Sequence, residues 1–265
     1  MTILQGMKFN RTILLMLFAI CLSACGPKKA ENSITNPIRI PFAVQGTIPH
    51  DTKSFTQGLL IHRGQLYEST GQDDSWIGIV DIQSGAAQRK VTLDKKYFGE
   101  GMVVINNKVY QLTWKNKTGF IYDLKTFEKL GEFKYESEGW GLTTDGANII
   151  MSDGSDKLHF LDTTKFSVTK TISVSYDKEP VTALNELEYV DGFVYANVWQ
   201  TAMIARIDLA TGEVKGFLDL SELVRQVNSI NPQAEVLNGI AWHPATKSFL
   251  VTGKFWPYIY ILRLK

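Results

Sequence analysis

Cysteine is scarce in this chain, with two residues among 265. Cys21 lies in the first apolar stretch of the sequence, and Cys25 follows it closely. We expect the segment with Cys21 to be removed and Cys25 to be modified, so the remaining chain would keep no free thiol. The sequence therefore excludes a disulfide scaffold, a thiolate metal site and a cysteine nucleophile.

An excess of charge of either sign is also missing. The 28 Lys and Arg residues nearly balance the 27 Asp and Glu residues, which gives a formal net charge of +1. No basic block interrupts this balance. Because nucleic-acid binding depends on clustered Lys and Arg side chains that neutralise phosphates, we expect no nucleic-acid partner.

The four histidines of the chain are not spaced in the sequence as metal ligands usually are. The histidines are His50, His62, His159 and His243. Two acidic stretches, Asp73–Asp74 and Asp153–Asp156, could hold a structural cation in a loop, but their role as turn formers explains both more simply. We therefore predict that the protein uses neither a metal nor a cofactor.

The apolar run Ile13–Ile20 is too short to span a bilayer. A basic flank with Lys8 and Arg11 precedes it, and small residues follow it. This three-part pattern is typical of a secretory signal, which we predict over residues 1–24.

The end of this signal, Leu22-Ser23-Ala24-Cys25, resembles the lipobox of bacterial lipoproteins. The resemblance implies that Cys25 receives diacylglycerol and becomes the first mature residue, with residues 25–37 as a lipidated tether. Acyl chains anchor a protein by about 0.8 kcal/mol per buried CH₂. Gly26 rather than Asp follows the cysteine, which favours the periplasmic face of the outer membrane in the cell envelope of a bacterium. The alternative is an ordinary signal peptide that ends near a cysteine.

Four segments of the chain repeat an apolar pair, an Asp and a polar turn. The aspartates are Asp81, Asp123, Asp162 and Asp208, at spacings of 42, 39 and 46 residues. Periods of about 40 residues with four short strands are typical of β-propeller blades. Leucine-rich repeats have a shorter period, and helical repeats would need a 3.6-residue periodicity that these segments lack.

Each predicted blade opens with two short strands separated by a tight turn. The first strands are predicted at Phe55–His62, Phe98–Ile105, Trp140–Thr144, Leu184–Val190 and Leu237–His243. The second strands are predicted at Gln65–Ser69, Lys108–Thr113, Asn148–Ser152, Phe193–Val198 and Ser248–Thr252. The sequence thus predicts one all-β domain over residues 38–265, a five-bladed β-propeller.

The fifth blade leaves no room for a fourth strand after Ile259–Leu264. The segment Ile38–Ile48 can supply this strand, which would close the ring and remove an exposed sheet edge. One stretch departs from the strand pattern: Ser221–Ser229 keeps apolar residues at helical spacing behind a Ser cap. We predict a short helix there, between blades four and five.

Alignment of the blades places polar and aromatic residues at equivalent positions. The first strands carry Gln57, Glu100, Trp140, Asn185 and Asn238, and the ends of the second strands carry Gly71, Trp114, Gly154, Trp199 and Lys254. Equivalent positions face one another across the central channel, so we expect these side chains to converge at one mouth. Two alternatives stay open: the tryptophans could be core between blades, and Glu100 could be an ordinary channel acid.

Several motifs together resemble the glutaminyl-peptide cyclotransferases of the plant and bacterial type, from about Phe42 to Lys265. They are Phe55–Leu59 (FTQGL), Tyr97–Gly101 (YFGEG), Gly139–Leu142 (GWGL), Leu184–Tyr189 (LNELEY), Asn197–Gln200 (NVWQ), Leu237–Ala241 (LNGIA) and Val251–Pro257 (VTGKFWP). This resemblance implies a five-bladed propeller that cyclises N-terminal glutamine to pyroglutamate with loss of ammonia.

The resemblance also implies roles for single residues. Glu100 matches an acid that moves a proton from the attacking nitrogen to the departing one. Gln57 and Asn185 match residues that bind the substrate amide and amine. Lys254 matches a lysine near the substrate, and it would either polarise the carbonyl oxygen or hold Glu100.

The remaining implied residues shape the pocket. The rings of Trp114, Trp140 and Trp199 would exclude water and favour the folded conformer of the substrate side chain. The predicted substrate contacts are completed by Phe55, Phe98 and Asn238, and Glu68 is predicted to support the site from behind. The expected partners are peptides or proteins with N-terminal glutamine, and the expected state is a monomer.

Two rival functions differ in class. One is a non-catalytic propeller that presents its channel mouth to a protein or peptidoglycan partner, since the fold hosts both roles. The other is a lactonase-type hydrolase, which would need a channel metal held by several carboxylates, whereas the aligned first-strand positions offer only Glu100.

Overall fold

The structure is a computed structural model that describes residues 34–265. The predicted signal peptide, Cys25 and the tether up to residue 33 lie outside the described residues. No helix among the described residues has the length and apolar character needed to cross a membrane.

Five four-stranded antiparallel sheets make up the fold, which confirms the predicted five-bladed propeller. Strand β1 (Phe42–Pro49) comes first in the chain. Blade 1 contains β2 (Thr56–His62), β3 (Gln65–Thr70), β4 (Trp76–Val80) and β5 (Ala87–Thr92). Blade 2 contains β6 (Gly99–Ile105), β7 (Lys108–Thr113), β8 (Thr118–Asp123) and β9 (Lys129–Lys134).

The other blades follow in chain order. Blade 3 contains β10 (Leu142–Thr144), β11 (Ile149–Ser152), β12 (Lys157–Leu161) and β13 (Val168–Ser173). A hairpin, β14 (Ser175–Tyr176) and β15 (Glu179–Pro180), leads to blade 4, with β16 (Leu184–Val190), β17 (Phe193–Val198), β18 (Met203–Asp208) and β19 (Val214–Asp219). After helix α1 (Ser221–Ile230), blade 5 contains β20 (Leu237–His243), β21 (Ser248–Gly253) and β22 (Tyr258–Leu264).

The innermost strands are buried on both faces, whereas the outermost strands face water. All seven residues of β6 are buried, while five of the six residues of β5 are exposed. Five apolar clusters fill the spaces between neighbouring blades, one for each pair of neighbours around the ring. Burial of apolar surface between blades therefore stabilises the ring and holds the inner strands in place.

Strand β1 closes the ring, as predicted. It pairs antiparallel with β22, from Phe42 opposite Leu264 to Pro49 opposite Tyr258. The predicted strand began earlier, at Ile38. Instead, the residues before β1 run beside β19 of blade 4, where the N–H of Ile40 donates to the carbonyl of Phe217 at 2.8 Å. The N-terminal segment thus contacts both blades that meet at this interface.

The helix confirms the predicted position but not the predicted cap. Leu220 occupies the N-cap position and makes no side-chain capping bond. Ser221 is already helical, and its hydroxyl donates to Oδ1 of Asp219 at 2.6 Å. Leu223 and Val227 face inward and are buried, which explains the helical spacing of apolar residues in the sequence.

Candidate active site

A cavity of about 270 Å³ lies where the inner strands begin. Every blade contributes to it. Its lining residues are Phe55 and Gln57 from blade 1, Phe98, Glu100 and Trp114 from blade 2, Trp140 from blade 3, Asn185 and Trp199 from blade 4, and Lys254 from blade 5. The structure therefore brings together nine of the ten residues that the sequence placed in a catalytic or substrate-binding role.

The polar residues of the first strands sit on irregularities of the inner strands. The pairing register shifts around Gln57 in β2, Glu100 in β6, Asn185 in β16 and Asn238 in β20. A bulge adds a residue to one strand and re-aims its side chain. Three of these four residues, Gln57, Glu100 and Asn185, line the cavity.

Glycines make room for the aromatic walls. A Cβ at Gly71 would lie 2.3 Å from Cε1 of Phe98, and a Cβ at Gly154 would lie 2.6 Å from Cζ2 of Trp140. Both glycines occupy the positions that hold Trp114 and Trp199 in other blades. Phe98 therefore occupies the space beside Gly71, and Trp140 occupies the space beside Gly154. Blades 2 and 4 carry the tryptophans Trp114 and Trp199 at the equivalent positions.

The aromatic rings pack edge-on or tilted around the cavity. Phe55 and Phe98 lie 5.8 Å apart at 87°, and Trp140 and Trp199 lie 5.5 Å apart at 81°. The three tryptophans are partly exposed and belong to none of the five apolar clusters between blades. They line the cavity and are not inter-blade core.

Glu100 lies almost completely buried, with 4% of its surface exposed. Burial raises the pKa of its carboxyl well above the ordinary value, the positive charge of Lys254 opposes this rise, and the negative charge of Glu138 adds to it. A hydrogen bond from the side chain of Gln57 also opposes it. Glu100 is the only carboxyl among the described residues that line the cavity, and it is held so that protonation is favoured.

Lys254 faces Glu100 from blade 5. Its Nζ lies 4.4 Å from the ring centroid of Phe55, and only 5% of the residue is exposed. Burial lowers the pKa of this lysine, while the charges of Glu100 and Glu235 raise it. The charge of each group thus favours the charged form of the other, while burial opposes both charged forms.

Asn185 offers an unused acceptor. Its side chain lines the cavity and is 3% exposed, and its Oδ1 has no hydrogen-bond partner among the described residues. A buried oxygen without a donor costs free energy, so it favours a ligand that brings an N–H.

Asn238 does not line the cavity, and its contact with substrate stays a prediction. It is completely buried, and its Nδ2 donates to the carbonyl of Thr56 and to Oε1 of Gln57, both at 3.0 Å. Because Oε1 of Gln57 accepts from Asn238, its Nε2 is the atom that faces Glu100. Asn238 thus sets which end of the Gln57 amide meets the acid.

Glu68 lies behind the site rather than in it. Its Oε1 accepts from the hydroxyl of Thr56 at 2.7 Å and lies 3.1 Å from Nε2 of His50. Thr56 directly precedes Gln57. Glu68 therefore contacts Thr56, the residue before Gln57, and does not itself line the cavity.

Three acids near the channel were missed by the sequence reasoning. Glu138 accepts from the indole N–H groups of Trp114 and Trp140 at 2.7 and 3.0 Å. Glu186 accepts from the backbone of Leu59 and Ile240, and burial raises its pKa well above the ordinary value. Glu186 contacts residues far away along the chain, and Glu138 lies two residues before Trp140, a spacing that does not by itself indicate a contact.

The third acid, Glu188, lines a different cavity of about 230 Å³ at the other end of the inner strands. Burial raises its pKa to about 8, opposed by a hydrogen bond from the backbone of Trp242. Among the described residues that line the first cavity, Glu100 is the one carboxyl, whereas Glu186 and Glu188 lie further along β16. Glu186 and Glu188 lie two residues apart within an apolar strand, and this pair of acids was the signal in the sequence that could have indicated them.

The described residues contain no group of three or more His, Cys, Asp or Glu side chains arranged to hold a metal ion. Of the two acidic stretches considered as loop cation sites, Asp73–Asp74 lies in a turn. In the other stretch, Oδ1 of Asp153 accepts from the N–H of Ser155 at 3.0 Å.

Comparisons with known proteins agree on one family. A family model described as glutamine cyclotransferase matches residues 15–264. A glutaminyl-peptide cyclotransferase of Arabidopsis thaliana is 41% identical over 226 residues, covering 84% of this chain and 71% of that protein. The crystal structure of Myxococcus xanthus glutaminyl cyclase superposes with a TM-score of 0.81 at 34% identity, covering 86% of this chain and 98% of that one.

Proposed function

The chain belongs to the glutamine cyclotransferase family and converts N-terminal glutamine of peptides or proteins to pyroglutamate, and we propose that Glu100 carries the proton which this reaction moves. Family membership decides against the two rivals considered from the sequence, the non-catalytic binding propeller and the lactonase-type hydrolase. The observation that carries the proposal is the position of Glu100: it is the buried, cavity-lining carboxyl, and its pKa is raised by burial.

The reaction joins the α-nitrogen of the substrate to the side-chain amide carbon and breaks the bond from that carbon to the amide nitrogen. The attacking nitrogen must lose a proton, and the departing nitrogen must gain one before it leaves as ammonia. One carboxyl that accepts the first proton and returns it to the second nitrogen completes the cycle unchanged.

The raised pKa of Glu100 suits this role. An α-amine has a pKa of about 7.7–8.0, far above that of an ordinary carboxyl. Proton exchange between the two groups costs least when their pKa values are close. Burial moves the carboxyl in that direction, while Lys254 and Gln57 keep its ionised form accessible.

The neighbouring groups orient the substrate. We assign the unpartnered Oδ1 of Asn185 to the α-amine of the substrate, because this oxygen can accept an N–H. Of the two roles left open for Lys254, we favour polarisation of the amide oxygen, on which negative charge develops as the amine attacks. The aromatic walls exclude water and hold the glutamine side chain folded toward its own amine.

Replacement of Glu100 tests the proposal. We expect Glu100→Gln to lower turnover of a glutaminyl dipeptide by at least about a hundredfold, the loss typical of a missing general acid–base group. Ammonia release measures the rate, and thermal unfolding checks that the fold persists. Glu188→Gln is the matched control, since it removes another carboxyl with a raised pKa outside the cavity, and it should leave turnover near that of the parent. Near-normal turnover of Glu100→Gln would refute the assignment.

We also propose that the protein is exported and anchored to the outer membrane of a bacterium through lipid on Cys25, and that it is a monomer. The lipobox-like Leu22–Cys25 segment supports the anchor. The five inter-blade clusters, which are completed within one chain, support the monomer.

Expression in a Gram-negative host tests the anchor. We expect the parent to enter the detergent phase of a phase-separation assay, whereas Cys25→Ala stays in the aqueous phase because it has no acyl acceptor. Cys21→Ala is the control and should behave as the parent. A parent protein found in the aqueous phase would contradict the anchor, and light scattering of the soluble domain reports the oligomeric state.

A further inference from the structure

Glu138 joins two walls of the cavity through a single oxygen. Its Oε2 accepts from Nε1 of Trp114 at 2.7 Å and from Nε1 of Trp140 at 3.0 Å. Trp114 follows strand β7 of blade 2, and Trp140 precedes strand β10 of blade 3. One carboxylate therefore fixes the relative position of two indoles that different blades supply.

This link extends to the rest of the aromatic wall. Trp114 packs against Phe98 with ring centroids 5.7 Å apart, and Trp140 packs edge-on against Trp199. An indole has one N–H donor, so the position of its acceptor selects the orientation of the ring. Movement of the Glu138 carboxylate would consequently disturb four of the rings that line the cavity.

Glu138 itself is partly exposed and does not line the cavity. Its carboxylate accepts from the indole N–H groups of Trp114 and Trp140. Its negative charge nevertheless reaches Glu100, where it adds to the effect of burial and raises the pKa of that carboxyl. Lys254 acts on the same carboxyl in the opposite direction.

We propose that Glu138 is a positioning residue of the active site, which holds Trp114 and Trp140 in the geometry that receives the glutamine side chain and adds a negative charge behind the two indoles. The proposal rests on the proposed function of Glu100. It assigns two separable properties to one side chain, namely the reach of its oxygen and its charge.

Two conservative variants separate these properties. Glu138→Gln keeps an oxygen at the same reach but removes the charge. Glu138→Asp keeps the charge but withdraws the oxygens by about 1.5 Å, one carbon–carbon bond. The matched controls are Glu136→Gln and Glu136→Asp, because Glu136 is an exposed acid of the same loop whose side chain contacts neither indole.

For Glu138→Gln we expect a change in pH dependence. With one dipeptide substrate, the limb of the kcat/KM profile that reports the substrate amine stays fixed, and the limb that reports Glu100 moves to lower pH. KM at the optimum stays within about twofold, since the indoles keep an oxygen acceptor. An unmoved profile would overturn the electrostatic part of the proposal.

For Glu138→Asp we expect KM to rise by about tenfold or more, the size of the loss of a hydrogen bond to a charged group. The pH profile stays in place, and acrylamide quenching of the indole fluorescence increases. Unchanged KM and unchanged quenching would overturn the positioning part. The Glu136 variants should match the parent in every measurement.

The fluorescence measurement also separates this proposal from the proposed function. If the parent releases no ammonia from a glutaminyl dipeptide, the proposed function fails by itself. Quenching of Trp114 and Trp140 by acrylamide still shows whether Glu138 holds the indoles, because it needs no turnover.

Discussion

Asn238 acts on Glu100 through one intervening side chain. Its Nδ2 donates to Oε1 of Gln57, and the Gln57 amide in turn bonds to Glu100. A donor facing the carboxylate stabilises its ionised form. The orientation of a single amide therefore contributes to the proton affinity of the acid.

We expect Asn238→Asp to reverse this orientation, because the new carboxyl attracts Nε2 of Gln57 in place of Oε1. Glu100 would then face an acceptor, so its pKa would rise and the Glu100 limb of the kcat/KM profile would move to higher pH. We expect kcat/KM to fall by about tenfold, the size of one lost hydrogen bond to a charged group. The pH profile of ammonia release checks this.

The direction in which the pH profile moves distinguishes a role of Asn238 in orienting Gln57 from a general loss of stability. A purely structural role for Asn238 would lower stability in urea and leave the profile in place, which would contradict the relay. Glu138→Gln should move the same limb the opposite way, so the two variants serve as controls for each other.

The sequence placed Asn238 and Asn185 at equivalent positions, yet only Asn185 lines the cavity. Alignment of blades identifies which residues share a level of the channel. It does not identify where each side chain turns, because that depends on the bulge at each strand and on the neighbouring blade. In β20 the bulge brings Asn238 against Thr56 and Gln57 of blade 1.

At the scale of elements, the repeated aspartates shape the outer turns of four blades. Asp81 accepts from the N–H groups of Gln83 and Ser84, at 3.1 and 2.7 Å, and the other three aspartates make the equivalent contacts. Such a side-chain turn joins the third strand of a blade to its fourth. Blade 5 has no such repeat because its fourth strand, β1, arrives from the other end of the chain.

A buried ion pair secures this closing strand. His50 follows β1, and its Nδ1 lies 2.8 Å from the carbonyl of Trp256 while its Nε2 lies 3.1 Å from Oε1 of Glu68. Both ring nitrogens face acceptors, which favours the imidazolium. Burial by itself would lower the pKa of His50, but the charge and hydrogen bond of Glu68 outweigh it, so the pKa is raised.

This raised pKa predicts a stability that depends on pH. A group whose pKa is higher in the folded state stabilises the fold fully below its unfolded pKa, about 6.5 for histidine, and loses that effect as pH rises through the folded pKa. We expect His50→Gln to lower the free energy of unfolding by about 3 kcal/mol at pH 6, the cost of breaking a buried pair. The difference from the parent should shrink toward pH 9.

Urea unfolding followed by tryptophan fluorescence measures this difference. His243→Gln is the matched control, since His243 ends strand β20, is only partly buried and contacts the N–H of Thr246 rather than an acid. If the loss of unfolding free energy in His50→Gln stays constant from pH 6 to pH 9, His50 and Glu68 are not held as the charged pair inferred here.

At the scale of the whole molecule, the ring is tied together around its axis as well as between its blades. Glu186 of blade 4 accepts from the N–H of Leu59 in blade 1 at 3.1 Å and from the N–H of Ile240 in blade 5 at 2.7 Å. One carboxyl therefore spans three blades directly below the cavity residues. A rigid ring of this kind presents side chains from five blades with little freedom, as a preorganised site requires.

The sequence by itself determined the number of blades, the source of the closing strand and nine of the ten residues predicted at the channel mouth, because each of these follows from repeats that can be aligned along the chain. Only the tertiary structure decided that Asn238 stands behind Gln57, that Glu138 holds two indoles and that Glu186 spans three blades. Those contacts join residues from different blades, and bulges set their directions. A sequence pattern shows the repeat length of a fold, but contacts between distant side chains form only when the ring closes.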